Sequence, residues 1–182
     1  DQAGYPVVLK LASRTIVHKT EVGGVHLNLN DASAVKQAFE QMETSLRMAG
    51  LLDAMEGALI QPMVTGGTEG MVGVTHDPLF GPLIAFGLGG IFVEVIKDVS
   101  FRVSPLTDRD AEEMIQGIRG YRLLEGYRGQ APADIAAIKD ALLRISRLVE
   151  EVPEIRELDL NPVMVRAQGK GCAIVDCRVR VE

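Results

Sequence analysis

Short glycine-bearing turns separate the apolar runs of this chain, and they limit how its strands can pair. Gly66-Gly67 leads into an apolar run over Glu69–Thr75, and Gln168-Gly169-Lys170-Gly171 joins Val163–Arg166 to Cys172–Val181. Parallel neighbours need a crossover of a dozen or more residues, so links this short predict antiparallel hairpins. Between the hairpins the period changes to three and four. Val35, Ala38, Phe39, Met42, Leu46 and Ala49 predict an amphipathic helix starting near Asn30-Asp31, and Ala111, Met114, Ile115 and Ile118 predict a second behind Thr107 or Asp108. Ile135, Ile138, Leu142 and Ile145 predict a third over about 133–151. The expected fold class is α/β (α+β): one mostly antiparallel sheet, with all three helices packed against the sheet that holds the 157–178 hairpin.

Charge and composition exclude several functions. A formal net charge of −6 and a pI near 5.2 oppose a nucleic-acid binder, and 4% aromatic content leaves few rings on which bases stack. No nucleic acid and no membrane are expected as partners, since there is no run of about eighteen apolar residues and no signal peptide. Cys172 and Cys177, read on a single strand, would face opposite ways and not bridge, which fits a reducing cytoplasm. Starting at Asp1 without methionine, the 182-residue chain is expected to be a piece of a longer protein.

Two constellations carry chemistry. In the first, Val7-Val8-Leu9 reads as a buried strand delivering Lys10 at its end, Val25–Leu29 as a second strand, and His18 as lying in the loop between them, ahead of Gly23-Gly24. An exposed, mobile imidazole there suits group transfer at neutral pH, although the same residues also describe ordinary surface decoration. In the second, Glu157, Asp159 and Asn161 alternate with Leu158 and Leu160, so three oxygen-bearing side chains share one strand face. Asp176 and Arg178 share a face on the strand that follows. Two carboxylates and an amide facing a triphosphate suit magnesium, with Arg178 neutralising phosphate; the competing reading is a solvated polar face. These faces are expected to converge on Gly87–Gly90 or on Lys10.

Between the two, Ala58-Leu59-Ile60 reads as a strand running into Gln61-Pro62-Met63, where the proline takes the chain out of the sheet. Gly87, Gly89 and Gly90 permit either close approach to a phosphate or tight turns. A dinucleotide fingerprint is rejected, because the residues after Gly90 read as strand where a helix should open.

Lys10, His18-Lys19-Thr20, Val22-Gly23-Gly24-Val25, QPMVTGGTEGMVGVTHDPLFGP, FGLGGIFVEVIKDVSFRVSPL, LLEGYRG, ELDLNPV and VDCRVRV stand together in one order. From Tyr5 to Val181 the chain thereby resembles the ATP-grasp domain of nucleoside-diphosphate-forming acyl-CoA synthetases, a module also found within protein acetyltransferases. The resemblance implies that Lys10 contacts nucleotide phosphates, that the Gln61, Pro62 and Met63 backbone meets adenine, and that His18 is transiently phosphorylated. It implies magnesium on Asp159, Asn161 and Asp176, with Arg178 beside it, and it assigns Glu69, Gly89 and Gly90 to the nucleotide site. The implied cofactors are ATP/ADP and Mg2+. The implied partners are CoA-binding and ligase domains of the same or a partner polypeptide, or an acetyltransferase domain if the module is regulatory and does not turn over. Residues 1–64 would be the remainder of a small lid subdomain and 65–182 the larger one; the family's domain opens with a further helix and strand.

Overall fold

The structure, a computed structural model, describes residues 4–16, 18–90, 96–127 and 129–182. The chain divides into two compact units, Asp1–Met63 and Val64–Glu182. Every strand pairing among the described residues is antiparallel.

The first unit is a three-stranded sheet in the order β2-β1-β3, built from β1 (Val7–Ala12), β2 (Val25–Leu29) and β3 (Gly57–Pro62), with one helix, α1 (Ala32–Met48). Asp31 caps α1 by accepting the Ala34 N–H at 2.8 Å. At the other end Gly50, with φ +69°, turns the chain so that the Leu51 N–H reaches the Leu46 carbonyl and the Gly50 N–H that of Arg47. Ala38, Met42 and Leu46, four residues apart, fall on one stripe and bury against Val7, Leu9 and Leu11 of β1. Lys10 does not end its strand as the sequence suggested. β1 continues to Ala12, and Lys10 sits within it opposite Val25 and Leu59.

The second unit is a six-stranded sheet: β4 (Thr68–Asp77), β5 (Gly81–Leu88), β6 (Val99–Val103), β7 (Ile155–Val165), β8 (Cys172–Ile174) and β9 (Cys177–Val181), in the order β6-β5-β4-β7-β8 with β9 also on β7. Its helices are α2 (Asp108–Gly117), α3 (Tyr121–Leu124) and α4 (Ile135–Glu151). A capping box starts α2, Thr107 accepting the Asp110 N–H while the Asp110 carboxylate accepts the Thr107 N–H. The Thr107 hydroxyl also donates to the Asp110 carboxylate, and that bond first, then the one from the Thr107 N–H, holds the Asp110 carboxyl below its ordinary value. Ala111, Met114 and Ile115 of α2 and Ile138, Leu142 and Val149 of α4 pack with Val72, Val74, Ile84, Phe86, Leu158 and Leu160 of the sheet. Ser146, polar within this core, accepts the Leu106 N–H at 2.8 Å and meets Ser104 Oγ at 3.2 Å, so its hydroxyl is satisfied. No described helix is long and apolar enough to cross a membrane.

Other expectations change as well. The helix at 32–48 covers the small sheet, not the sheet holding the 157–178 segment, so the α/β architecture is built on two sheets. The 172–181 run is two strands: the Val175 N–H turns to the Pro162 carbonyl and the Asn161 N–H takes the Asp176 carbonyl, around an irregularity in β7. Cys172 and Cys177 are therefore on different strands, and both are free. The strand read beyond Gly90 falls on 91–95, outside the described residues.

Candidate functional site

In β7 alternate residues face opposite sides of the sheet, and Leu158 and Leu160 take the helix-covered side. Asp159 is thereby placed on the other, where register sets it across from Gly73 of β4 on one flank and Arg178 of β9 on the other. Gly73 in turn faces Ala85, which faces Phe101, so the row reads Arg178, Asp159, Gly73, Ala85, Phe101 across five strands. One step along runs a second row, Arg180, Glu157, Thr75, Leu83 and Val103, with Arg180 and Glu157 paired at 3.1 Å. Asn161 and Asp176 are drawn together by the 3.2 Å bond between their backbones. The proposed set Asp159, Asn161, Asp176 and Arg178 therefore lies on adjoining parts of β7, β9 and the link that enters β9.

The electrostatics of this set are asymmetric. Burial pushes the Asp159 carboxyl above its ordinary value, the Arg178 guanidinium pulls it back, and the negative charge of Asp176 pushes it up again. Two like charges lie close together in a half-buried place, with the Arg178 guanidinium opposite Asp159. Among the described residues no group of three or more His, Cys, Asp and Glu side chains is gathered to hold a metal. Two carboxylates and an amide oxygen fit a hard cation that completes its shell from phosphate oxygens and water, as magnesium does.

Gly89 and Gly90 follow directly on β5, beside Glu69. The Gly89 N–H donates to the Glu69 carbonyl at 2.7 Å, so of the two glycine amides this one is already committed. A Cβ at Gly89 would sit 2.9 Å from Glu69 Cβ, and Gly90 has φ +61°, so both positions call for glycine. Gly87 faces Met71, which in turn faces the irregularity in β7 near Asn161 and Pro162.

The remaining sequence-derived residues belong to the first unit. Lys10 is buried within β1. Gln61 and Pro62 close β3, where Pro62 faces Val7, and the Met63 N–H donates to the Pro6 carbonyl. His18 is exposed, its side chain 72% accessible, with Nδ1 4.0 Å from Glu21 Oε1. The chain after it is not slack. The Gly24 N–H donates to the Lys19 carbonyl and its carbonyl accepts the Leu11 N–H, both at 2.7 Å, and His26 Nε2 meets the Gly23 carbonyl. A Cβ at Gly24 would lie 2.8 Å from Lys19 O and 3.0 Å from Leu11 Cβ, so the loop can close only on glycine.

Sequence reasoning passed over two buried carboxylates, Asp98 and Asp134. Asp134 accepts the Ala137 N–H at the head of α4 and the Gly171 N–H of the β7–β8 turn. The Gly171 bond chiefly holds its carboxyl below the ordinary value. Asp98 accepts the Arg119 and Gly120 N–H groups. Only a polar residue within an apolar run hinted at Asp98; its partners are 21 and 22 positions away.

The second unit is thus an antiparallel sheet with helices packed on one face and a carboxylate set opposite an arginine on the other. The chain belongs to the ATP-grasp domain family, whose model matches residues 1–181. It is 49% identical over 179 residues to the acetate–CoA ligase [ADP-forming] I of Archaeoglobus fulgidus, covering 98% of this chain and 26% of that protein. It is 46% identical over 180 residues to the acetate–CoA ligase [ADP-forming] II subunit beta of Pyrococcus furiosus, 98% of this chain and 76% of that subunit. Acetyl-coenzyme A synthetase 1 of Ca. Korarchaeum cryptofilum, solved with coenzyme A, Ca-AMPCP and HgCl+, superimposes with a TM-score of 0.93 at 46% identity, over 100% of this chain and 78% of that one. The same enzyme with coenzyme A and Mg-AMPPCP, its phosphohistidine segment pointing towards the nucleotide binding site, gives 0.83 at 44% identity, with the same coverage. The chain thus spans about a quarter of a full-length relative and about three quarters of a separate beta subunit.

Proposed function

We propose that this chain is the ATP-binding, phosphoryl-transfer domain of an ADP-forming acyl-CoA synthetase, converting acid, CoA and ATP to acyl-CoA, ADP and phosphate. What supports this reading is Arg178 standing opposite Asp159, with the charge of Asp176 acting on the same carboxyl and its backbone bonded to Asn161, in a chain 46% identical to a subunit of such a ligase. Asp159, Asn161 and Asp176 would hold magnesium, which when bound neutralises phosphate oxygens. Arg178 and Lys10 bring positive charge to the phosphates, where transfer depends on placement and charge neutralisation. The Gln61–Met63 backbone meets the base, and Glu69, Gly89 and Gly90 border the nucleotide.

His18 is the nucleophile of the relay. A neutral ring nitrogen attacks the γ-phosphorus, an N–P bond forms, the bond to the β-phosphate oxygen breaks, and ADP departs. The phosphoryl group then passes to partner CoA-binding and ligase domains, on the same or a companion polypeptide, by way of a second histidine. Solvent exposure of His18 supports this role, because a group that visits two sites has to leave the surface of its own unit. We place the reaction in the cytoplasm, where thiols such as Cys172 and Cys177 stay reduced. The alternative of a module without turnover inside a protein acetyltransferase draws no support from these relatives.

Incubating the full-length protein with γ-labelled ATP and magnesium should give an acid-labile, base-stable label. His18→Ala should abolish it while leaving ATP binding nearly intact. A label persisting in the variant at the wild-type level assigns the relay to another residue.

A further inference from the structure

We propose that Asp98 is a positioning residue for nucleotide binding, holding the Gly89-Gly90 turn in place through Gly120 and Leu88. This rests on the nucleotide reading of that turn given above. Asp98 is a charged side chain only 7% accessible, and both of its oxygens are used: Oδ1 accepts the Arg119 N–H at 2.8 Å and Oδ2 the Gly120 N–H at 2.7 Å. A buried carboxylate with two backbone donors fixes its partners more firmly than a neutral acceptor would, because charge-assisted bonds are stronger and their loss strands the donors.

The fixed partner matters because Gly120 lies directly against the end of β5. A Cβ on Gly120 would fall 2.6 Å from Leu88 Cδ1 and 3.3 Å from Asp98 Oδ2. Leu88 is 1% accessible and is followed at once by Gly89, which is tied to Glu69. Leu88 therefore has Gly120 on one side and continues into the glycine turn on the other. Asp98 sets where Gly120 stands, Gly120 limits where Leu88 stands, and Leu88 leads the chain into Gly89-Gly90. Gly120 has no positive φ, so its lack of a side chain answers to this contact and not to backbone strain.

The test compares dissociation constants for Mg·ADP, by calorimetry on the full-length protein, with unfolding midpoints. Asp98→Asn keeps the shape but turns an NH2 towards one of the two donors, and should weaken Mg·ADP binding about tenfold. Asp134→Asn, which damages an equally buried backbone clamp at the head of α4, should lower the unfolding midpoint and leave the dissociation constant unchanged. If Asp98→Asn does not fold, Gly120→Ala decides: it should weaken binding severalfold, and adding Leu88→Val, which shortens the opposing side chain, should restore it. Wild-type affinity in both Asp98→Asn and Gly120→Ala, or equal weakening by Asp98→Asn and Asp134→Asn, overturns the positioning role and leaves the nucleotide reading standing. A wild-type protein that does not bind Mg·ADP overturns that reading and this inference with it.

Discussion

Leu158 and Leu160 of β7 bury under α2 and α4, while Glu157 and Asp159, each one residue away, occupy the opposite face. The two faces of this sheet are made from the same strands and answer to different demands. On the helix side the central positions are apolar and nearly inaccessible, with Ile84, Phe86, Leu88 and Val72 at 1% or less, and polar residues, Arg102 and Ser100, join that side on the edge strand β6. On the other side the rows run from Arg178 and Asp159 to Phe101 and Val103, which are 52% and 45% accessible. The helix face is selected for burial. The open face carries a carboxylate whose own burial disfavours its charge, an arrangement that folding alone would not choose.

The comparison is broken most severely on the helix side. Leu160→Ala should cost about 3 kcal/mol, the usual scale for truncating a core leucine, read from the denaturant midpoint at constant m-value. Next comes Asp134, whose clamp serves the same unit by hydrogen bonding. Asp134→Ala should cost about 2 kcal/mol at pH 7, from a lost helix cap and a Gly171 N–H without its acceptor. Because its folded-state value is depressed, the stability Asp134 supplies is present above the ordinary carboxylate range and is lost as pH falls through that lower value. The difference between wild type and variant should therefore vanish in strong acid.

Asp159 should behave in the opposite sense. Its folded-state value is raised, so what it contributes is present below 3.8 and lost as pH rises through the higher folded value. Asp159→Asn should then match wild type in acid and unfold at or above the wild-type midpoint at pH 7. The same variant should bind Mg·ADP at least about tenfold more weakly if Asp159 is the magnesium ligand proposed above. A variant both less stable at pH 7 and unchanged in binding would make Asp159 a structural residue and erase the contrast between the faces.

What the sequence disclosed follows the range of the interactions involved. The helices were legible because their stripes and caps are local: Asp31 reaches Ala34, and Thr107 exchanges bonds with Asp110, each three residues away. The open face was legible for Glu157 and Asp159, since strand alternation alone sets them opposite in sense to Leu158 and Leu160. The break between β8 and β9 was not, because it depends on where Val175 and Asp176 meet the Asn161–Pro162 irregularity of another strand. Nor was the assignment of α1 to a separate sheet, since an apolar stripe says that a helix is covered and not by which strands. Asp98 and Asp134 stayed hidden for the same reason, their partners Gly120 and Gly171 being 22 and 37 positions away. For Lys10 and His18 local position left surface decoration open, and the roles proposed for them came from motif order.

The smallest expected effect on stability is at Gly73, and it separates the faces most finely. Gly73 lies between Asp159 and Ala85 on the open face, and a Cβ there would stand 3.5 Å from Met71 Cε and 3.7 Å from Ala85 Cβ, which is ordinary contact. Its backbone φ is not positive, so alanine meets no strain. Gly73→Ala should leave stability within about 0.5 kcal/mol of wild type, the lost unfolded-chain freedom offsetting any crowding. Were this glycine kept for folding, the substitution would show in the unfolding midpoint. If it is kept so that a nucleotide can lie close to the sheet beside Asp159, the added methyl instead shows in binding, with Mg·ADP affinity falling severalfold at unchanged stability. Unchanged affinity would mean that the nucleotide does not approach the sheet at Gly73, and that the open face serves binding only along β7 and β9.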